Sequence, residues 1–491
     1  MSQPANGHCL IVLDIGSSSI KAAAFDPAGR STATASRPVH TYSPQADSVI
    51  QDPRRMAHDA IAAIAEVVLK AGPDVRDGAI AVTGQMGGVV VVNRKLRPLT
   101  PWLSTLDTRS ARAADSLMTE VGQTILDRNR AAPFMASKLR WLRENGGLQR
   151  EGVALLIGPY LAAALCGSVR ACIIDRTSLT WTGMADIARS TWDEELVAAA
   201  GWSTDALPAI VEPGFVVGGI DRAASRVTGL PMGFPVIAGP GDQAASLSAI
   251  QLTSPGRIAD TAATFPMLVM TVSGLDQARA CSGIDVMAGV ESGRWHLLSY
   301  MLGTGALPSW WGEHFWPGVE SAVFDHMDAA ARAIEVGANG LVAVPHFSGR
   351  GSPPDSTMKG GLIGLSWSHR PEHVYRAFLE GIAYEYRHLL RLLSSTGGVP
   401  VGPVVAFGGG AHSALLSQIK ADVLGLEYRR VMRGDLTTLG TARLVARLLG
   451  WHLPPLARVN ARHIPRQQIH RRYQMLADRY DALLDAWGYL T

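Results

Sequence analysis

Val405-Ala406-Phe407-Gly408-Gly409-Gly410-Ala411-His412-Ser413 is an apolar run that breaks into three glycines and then into a helix-like spacing. Val404 to Phe407 reads as a buried strand, and Leu415, Leu416, Ile419, Val423 and Leu424 fall at helical intervals. Strand, glycine turn and helix start form a geometry in which backbone N–H groups point at an anion, with no Cβ to keep the ligand away. The spacing is neither that of a dinucleotide fingerprint nor that of a Walker loop. An ordinary tight strand-to-helix turn would read the same way.

A second stretch near the start behaves alike. Ile11, Val12 and Leu13 lead into Asp14, a turn of small residues follows, and a strand from Ile20 to Phe25 ends at Asp26-Pro27-Ala28-Gly29. An aspartate at a strand end beside such a turn suits Mg²⁺, often through water and with phosphates nearby, or else it caps the turn. Lys21 lies within reach of a phosphate on this reading. Two phosphate-gripping loops so far apart in sequence put a nucleotide between two domains. A chain of 491 residues is too long for one hydrophobic core, which agrees.

Further pieces follow in order: Thr83-Gly84-Gln85-Met86-Gly87-Gly88, Asp107-Thr108-Arg109, Lys138-Leu139-Arg140-Trp141-Leu142, Gly239-Pro240-Gly241-Asp242-Gln243-Ala244-Ala245, Arg294-Trp295-His296, Gly360 to Gly381 and Leu439-Gly440-Thr441-Ala442. Together with the two loops, these resemble the FGGY carbohydrate kinase family from Cys9 to about Trp487, and within it the xylulokinases most. The resemblance implies an α/β protein of two actin-like (ribonuclease-H-like) ATPase domains, 1–248 and 249–491, with ATP and Mg²⁺ in the cleft between them. It implies transfer of a phosphoryl group to a small ketose, a pentulose such as D-xylulose. Another substrate of the family (ribulose, an L-pentulose, a hexulose or a polyol), a sugar-binding pseudokinase and an actin-like ATPase are the other readings.

Val236-Ile237-Ala238 opening into Gly239-Pro240-Gly241 displays Asp242 just after a turn. Sugar phosphorylation needs an acceptor for the hydroxyl proton. The resemblance gives that role to Asp242, whose other reading is an N-cap over Ala244 to Ala249. It places Gln85, Met86, Asp107, Arg109, Asp242 and Gln243 at the sugar. Gly16, Ser17, Ser18, Lys21, Thr264, Gly408, Gly409, Gly410 and Ser413 fall at the nucleotide, and Asp14 at the metal. Asp107 and Arg109 equally read as a local surface ion pair. Trp102, Trp295 and Trp310 read as ligand-stacking or core residues. The chain departs from the family at Gly87, where xylulokinases carry histidine, so room is expected there. It departs again at Ala262-Ala263-Thr264, where a glycine is gone from the second phosphate loop, at Leu416 for tryptophan, and at Pro133 and Met135.

Net charge of +3 gives no strong pull toward nucleic acid or membrane, and the basic run Arg458 to Arg472 reads as a solvated face. Cys9, Cys166, Cys172 and Cys281 fit neither a zinc pattern nor a disulfide framework. Met1 to His8 lacks the apolar core of a signal peptide, and the most apolar window, Val153 to Cys166, is too short for a bilayer. A cytoplasmic protein is expected, with a small sugar as partner, no nucleic acid, no membrane, and a homodimer left open. Asp52-Pro53 starts a helix with Met56, Ala60, Ile61, Ile64, Val67 and Val68 on one face, stopped by Gly72-Pro73. Strands are expected near Ile80, over Arg257 to Val272 and over Trp295 to Met301, with a hairpin through Val89 to Val92. Helices are expected over Pro371 to Leu393, Ser413 to Leu424 and Gln468 to Trp487.

Overall fold

The computed structural model describes residues 9–487 apart from 73–74, 76–77, 147, 149–151, 276–282, 317–322, 399 and 452–457. Cys281, Pro73 and the stretch Met1 to His8 lie outside the described residues. The chain forms two compact units: one of residues 1–251, 286–293 and 435–456, the other of 252–285, 294–434 and 457–491. The first switch between them lies three residues beyond the division expected at 248, and the first unit also takes in two later segments.

In the first unit, strands follow the order Val216–Gly219, Pro235–Ala238, Gly78–Gly84, Cys9–Ile15, Ser19–Phe25, Ser31–Pro38. Cys9–Ile15, Gly78–Gly84 and Pro235–Ala238 run parallel, and the hairpin strands beyond Cys9–Ile15 run antiparallel. Every residue of Cys9–Ile15 is buried, which a parallel strand covered on both faces requires. The helix Pro53–Ala71 forms where the sequence places it. Asp52 caps it by accepting from the Arg54 N–H at 2.9 Å, and Met56, Ala60, Ile64 and Val67 are buried. Burying each large aliphatic side chain is worth about 1.5–3 kcal/mol, so packing and not helix propensity holds this element.

The second unit repeats the pattern. Its sheet contains, in order, Ala461–His463, Tyr428–Val431, Val404–Phe407, Ile258–Asp260, Met267–Val272 and Trp295–Tyr300. The middle strands Ile258–Asp260, Val404–Phe407 and Tyr428–Val431 are parallel, again flanked by an antiparallel meander. The stretch Arg257 to Val272 is two strands with a loop between them, and the three helices expected in this unit run Pro371–Gly397, Ala414–Leu424 and Gln467–Trp487. The apolar window at Val153 is a strand, Val153–Leu155, followed by a ten-residue helix, Ile157–Cys166. Among the described residues, no helix is long and apolar enough to cross a membrane. The basic run is in part structural: its residues 461–463 form an edge strand, and Arg466 grips the buried Asp422 with Nη2 at 2.6 Å.

Candidate active site

Three parallel strands of the first unit end at one edge, and the three turns that leave them are tied together. Asp14 lies opposite Thr83 in register, and Val82 opposite Ala238. Beyond the ladder, the Gln85 N–H donates to the Ile15 carbonyl and the Gly239 N–H to the Val82 carbonyl, each at 2.8 Å, and the Thr83 hydroxyl donates to the Pro240 carbonyl. Asp14, Gln85 and Asp242 are thereby displayed together. The carboxyl edge of parallel strands is where α/β sheets bind ligands.

Asp242 is the first residue of the helix Asp242–Ala249, and Gly241, not Asp242, occupies the cap position. Its Oδ1 accepts from the Gln243 N–H at 2.7 Å. Close packing pushes the carboxyl up to about 7, and the negative charge of Asp14 pushes the same way. Asp242 keeps part of its surface open, which tempers the first of these. Asp14 is buried and pushed up to about 6 by desolvation, with Lys21, directly opposite it on the hairpin, pulling back. The turn after Asp14 is closed by the backbone, Gly16 N–H to Ser19 O at 3.0 Å. The negative charge of Asp14 raises the pKa of Asp242, so a divalent cation beside this pair would be favourable. Among the described residues no group of three or more His, Cys, Asp or Glu side chains that could hold a metal ion occurs.

Residues that sequence reasoning passed over support this edge. Asp175 is buried and accepts from the Thr177 N–H at 2.9 Å, the Thr177 hydroxyl, and the Ser178 hydroxyl at 2.6 Å. Thr177 Oγ1 in turn accepts from the Gly241 N–H at 3.0 Å, which fixes the turn before Asp242. Gln51 bridges two expected site segments, donating to Ser17 O at 2.9 Å and accepting from Gln85 Nε2 at 3.0 Å. Gln51 and Asp175 precede or follow ordinary apolar runs, so nothing local marks them.

Among the residues expected to meet the sugar, Asp107 and Arg109 are not a surface pair. Asp107 is buried, Arg109 grips it through Nη2 at 2.6 Å and Nε at 2.9 Å, and the Val49 N–H donates to it at 3.0 Å. The guanidinium stacks 4.5 Å above the Trp141 ring. Lys138 is buried nearby; desolvation pushes its ammonium down to about 8 while Asp107 pulls it up. Gln85 and Met86 are buried. Gly87 does not leave room: its φ is +75°, and a Cβ there would lie 3.1 Å from Thr105 Oγ1. The Thr105 hydroxyl is held by Met86 O at 2.6 Å, so Thr105 fills that space. Trp102 is fully buried, a core residue, whereas Trp310 is exposed and packs edge-on against Phe315 and Phe347.

In the second unit, the loop after Ile258–Asp260 meets the glycine loop after Val404–Phe407. The Gly410 N–H donates to Ala262 O at 2.7 Å, and a Cβ on Gly408 (φ +96°) would strike Thr261 O at 2.6 Å. Gly409 has open space around it, and Thr264 is exposed. Ser413 has structural partners: it caps Ala414–Leu424 by accepting from the Leu416 N–H at 3.0 Å and donates to Asp328 at 2.7 Å. Ala262, where the resemblance finds the glycine gone, still adopts positive φ, +25°.

Comparison with known proteins bears on what this edge does. Residues 9–248 match the N-terminal domain, and residues 276–449 the C-terminal domain, of the FGGY family of carbohydrate kinases. A xylulose kinase of Bacillus subtilis (strain 168) is 26% identical over 96% of this chain and 95% of its own. A glycerol kinase of Chromobacterium violaceum is also 26% identical, over 97% and 96%. The crystal structure of a xylulose kinase from Rhodospirillum rubrum superposes with a TM-score of 0.91 at 28% identity, over 98% of this chain and 99% of that one. These structural neighbours have the actin-like ATPase fold.

Proposed function

The chain belongs to the FGGY family of carbohydrate kinases and is an ATP-dependent sugar kinase, and on that footing we propose that it phosphorylates a small ketose, D-xylulose first, with Asp242 as general base. The observation that carries this reading is the grouping of Asp242, Asp14 and Gln85 at one strand edge, with the Asp242 carboxyl raised to about 7. A base poised near neutrality accepts a hydroxyl proton well.

In the reaction, a substrate hydroxyl donates its proton to Asp242 as its oxygen attacks the γ-phosphorus; the new O–P bond forms while the bond to the β-phosphate oxygen breaks and ADP leaves. Asp14 would hold a hydrated Mg²⁺, which supplies positive charge to the phosphates. Lys21 and the backbone from Gly16 to Ser18 bind phosphate, and Thr264 with Gly408 to Gly410 binds nucleotide. Ser413 acts on the nucleotide through its cap on the helix behind the glycine loop. On the sugar, Gln85, Met86 and Gln243 line the acceptor, and Arg109, oriented by Asp107, meets its hydroxyls. Glycerol is the second reading, since glycerol kinases match this chain as well as xylulose kinases do.

The test is ADP release across D-xylulose, D-ribulose, L-xylulose, D-fructose, D-gluconate and glycerol. D-xylulose with the highest kcat/KM supports the proposal. A higher value for any other acceptor replaces the sugar, and ADP release independent of acceptor removes the reading.

A further inference from the structure

Asp260 ends the first strand of the second sheet and is buried, with 1% of its surface exposed. Three side chains converge on it. Lys420 Nζ lies 2.7 Å from Oδ2, the Tyr386 hydroxyl donates to Oδ1, and the Tyr428 hydroxyl donates to Oδ2 at 3.4 Å. Lys420 also sits 3.7 Å above the Tyr386 ring. Lys420 is equally buried, on a helix whose neighbours Ile419 and Ala421 are apolar core, so the pair is an investment in charge that a packed core does not need. One contact leaves the cluster: Oδ1 accepts from the Ala262 N–H at 2.8 Å. Ala262 holds a backbone that favours glycine, and its carbonyl takes the Gly410 N–H.

We propose that the Asp260 carboxylate, locked by Lys420, Tyr386 and Tyr428, does the work of the absent glycine: it holds Ala262 in the left-handed turn and, through Ala262, sets the position of Gly410 in the nucleotide loop. Asp260 is thus a positioning residue for nucleotide, an inference that rests on the kinase reading of these loops. Alanine pays strain at positive φ that glycine does not, so something must hold it there. A carboxylate is suited to this because its remaining lone pairs are saturated by a fixed ammonium and two phenols, which leaves Oδ1 no freedom to turn from the Ala262 N–H.

Two double variants differ only in the acceptor offered to Ala262. Asp260→Leu/Lys420→Met removes it, and Asp260→Asn/Lys420→Met keeps it; neither leaves a buried charge unpaired. For the first, Kd for MgADP by calorimetry and KM for ATP rise roughly tenfold, the worth of about one hydrogen bond, while KM for sugar stays within about twofold. The second stays within about threefold of the native protein. Adding Ala262→Gly to the Leu/Met variant recovers most of the loss, which restored stability alone would not do at temperatures far below unfolding. Amide exchange of the unliganded protein quickens over 261–264 and 408–411 in the Leu/Met variant only, with 9–25 unchanged. Native MgADP affinity in the Leu/Met variant, unchanged exchange in those segments, or a loss that Ala262→Gly leaves untouched overturns the proposal. If the Leu/Met variant does not fold, Ala262→Gly in the native protein decides: a clamp that already holds the turn predicts MgADP affinity within about twofold, and a tenfold gain overturns it. Absence of sugar-dependent ADP release would instead remove the kinase reading and leave the exchange result standing.

Discussion

Asp14 and Asp260 lie at the ends of corresponding central strands of two sheets, each on the strand that begins an antiparallel meander, yet their surroundings are opposite. Asp260 has an ammonium at 2.7 Å and two phenols on it. Asp14 has Lys21 opposite it on the hairpin, not enough to offset its burial, and a second acid, Asp242, whose pKa its charge raises. The first carboxylate is left in want of a cation, and the second has been given one by the chain. On the proposed kinase reading, the same position serves ligand chemistry in one unit and loop architecture in the other.

The largest effect that would break this contrast lies with Asp242. Asp242→Asn is nearly isosteric and cannot take the proton, so sugar phosphorylation should fall by about 10²- to 10⁴-fold with the fold retained. Steady-state kinetics on the folded variant checks it, and near-native turnover would return Asp242 to a structural role at the start of its helix. Next in size is removal of one partner from the neutralised acid. Asp260→Ala leaves Lys420 buried and unpaired, and should cost about 3–5 kcal/mol in urea unfolding. A cost below about 1 kcal/mol would mean that the Lys420–Asp260 pair is not held in the dry interior described above.

Much of this was legible in the sequence, for reasons that can be named. Asp52-Pro53 and Gly72 bound a helix by local chemistry alone, and the helix runs Pro53–Ala71 as expected. The glycine triplet and the acid after Val236-Ile237-Ala238 were readable because turns concentrate glycine and strands concentrate apolar residues. Gln51 and Asp175 were not readable, because their partners lie far off in sequence: Gln85 for the one, Gly241 by way of Thr177 for the other. Lys420 left a faint signal, a lone charge among core residues of a helix, but only the fold shows that Asp260 meets it. The space expected at Gly87 failed because a missing side chain says nothing about the neighbour that fills the gap, here Thr105. The return of 435–456 to the first unit has no local signature either.

Asp14 sharpens the comparison with the opposite sign of effect. Its carboxyl and that of Asp242 are raised from 3.8 to about 6 and about 7, so between those values the folded protein holds protons that the unfolded chain releases. Stability therefore falls as pH rises from about 4 through 7. Asp14→Asn removes one such group and relieves the other. With chelator present, it should stabilise the protein by on the order of 1–3 kcal/mol at pH 8 and by almost nothing at pH 3.5. The same variant should bind MgATP more weakly while sugar affinity, measured by calorimetry, stays close to native. A destabilised Asp14→Asn at pH 8 would make Asp14 another neutralised acid like Asp260, and the contrast between the two units would be gone.

The smallest expected effect concerns Gly87. The chain resembles xylulokinases but has glycine where they carry histidine, and the missing side chain is expected to leave room. The backbone says otherwise. At φ +75° a non-glycine residue is strained by about 1–2 kcal/mol, and the new Cβ would press on Thr105, which Met86 O holds in place. Gly87→His should therefore lower stability by about that amount without raising kcat/KM for D-xylulose over its competitors. Gly87→Ala separates the two causes, since it carries the backbone strain and the contact with Thr105 but no imidazole. Equal losses in both variants place the cost in the backbone, and a further loss in Gly87→His places it in the side chain. A gain in D-xylulose preference on Gly87→His would mean that Thr105 yields to the ring, and that the sugar side adapts where the Asp14 and Asp260 edges are fixed.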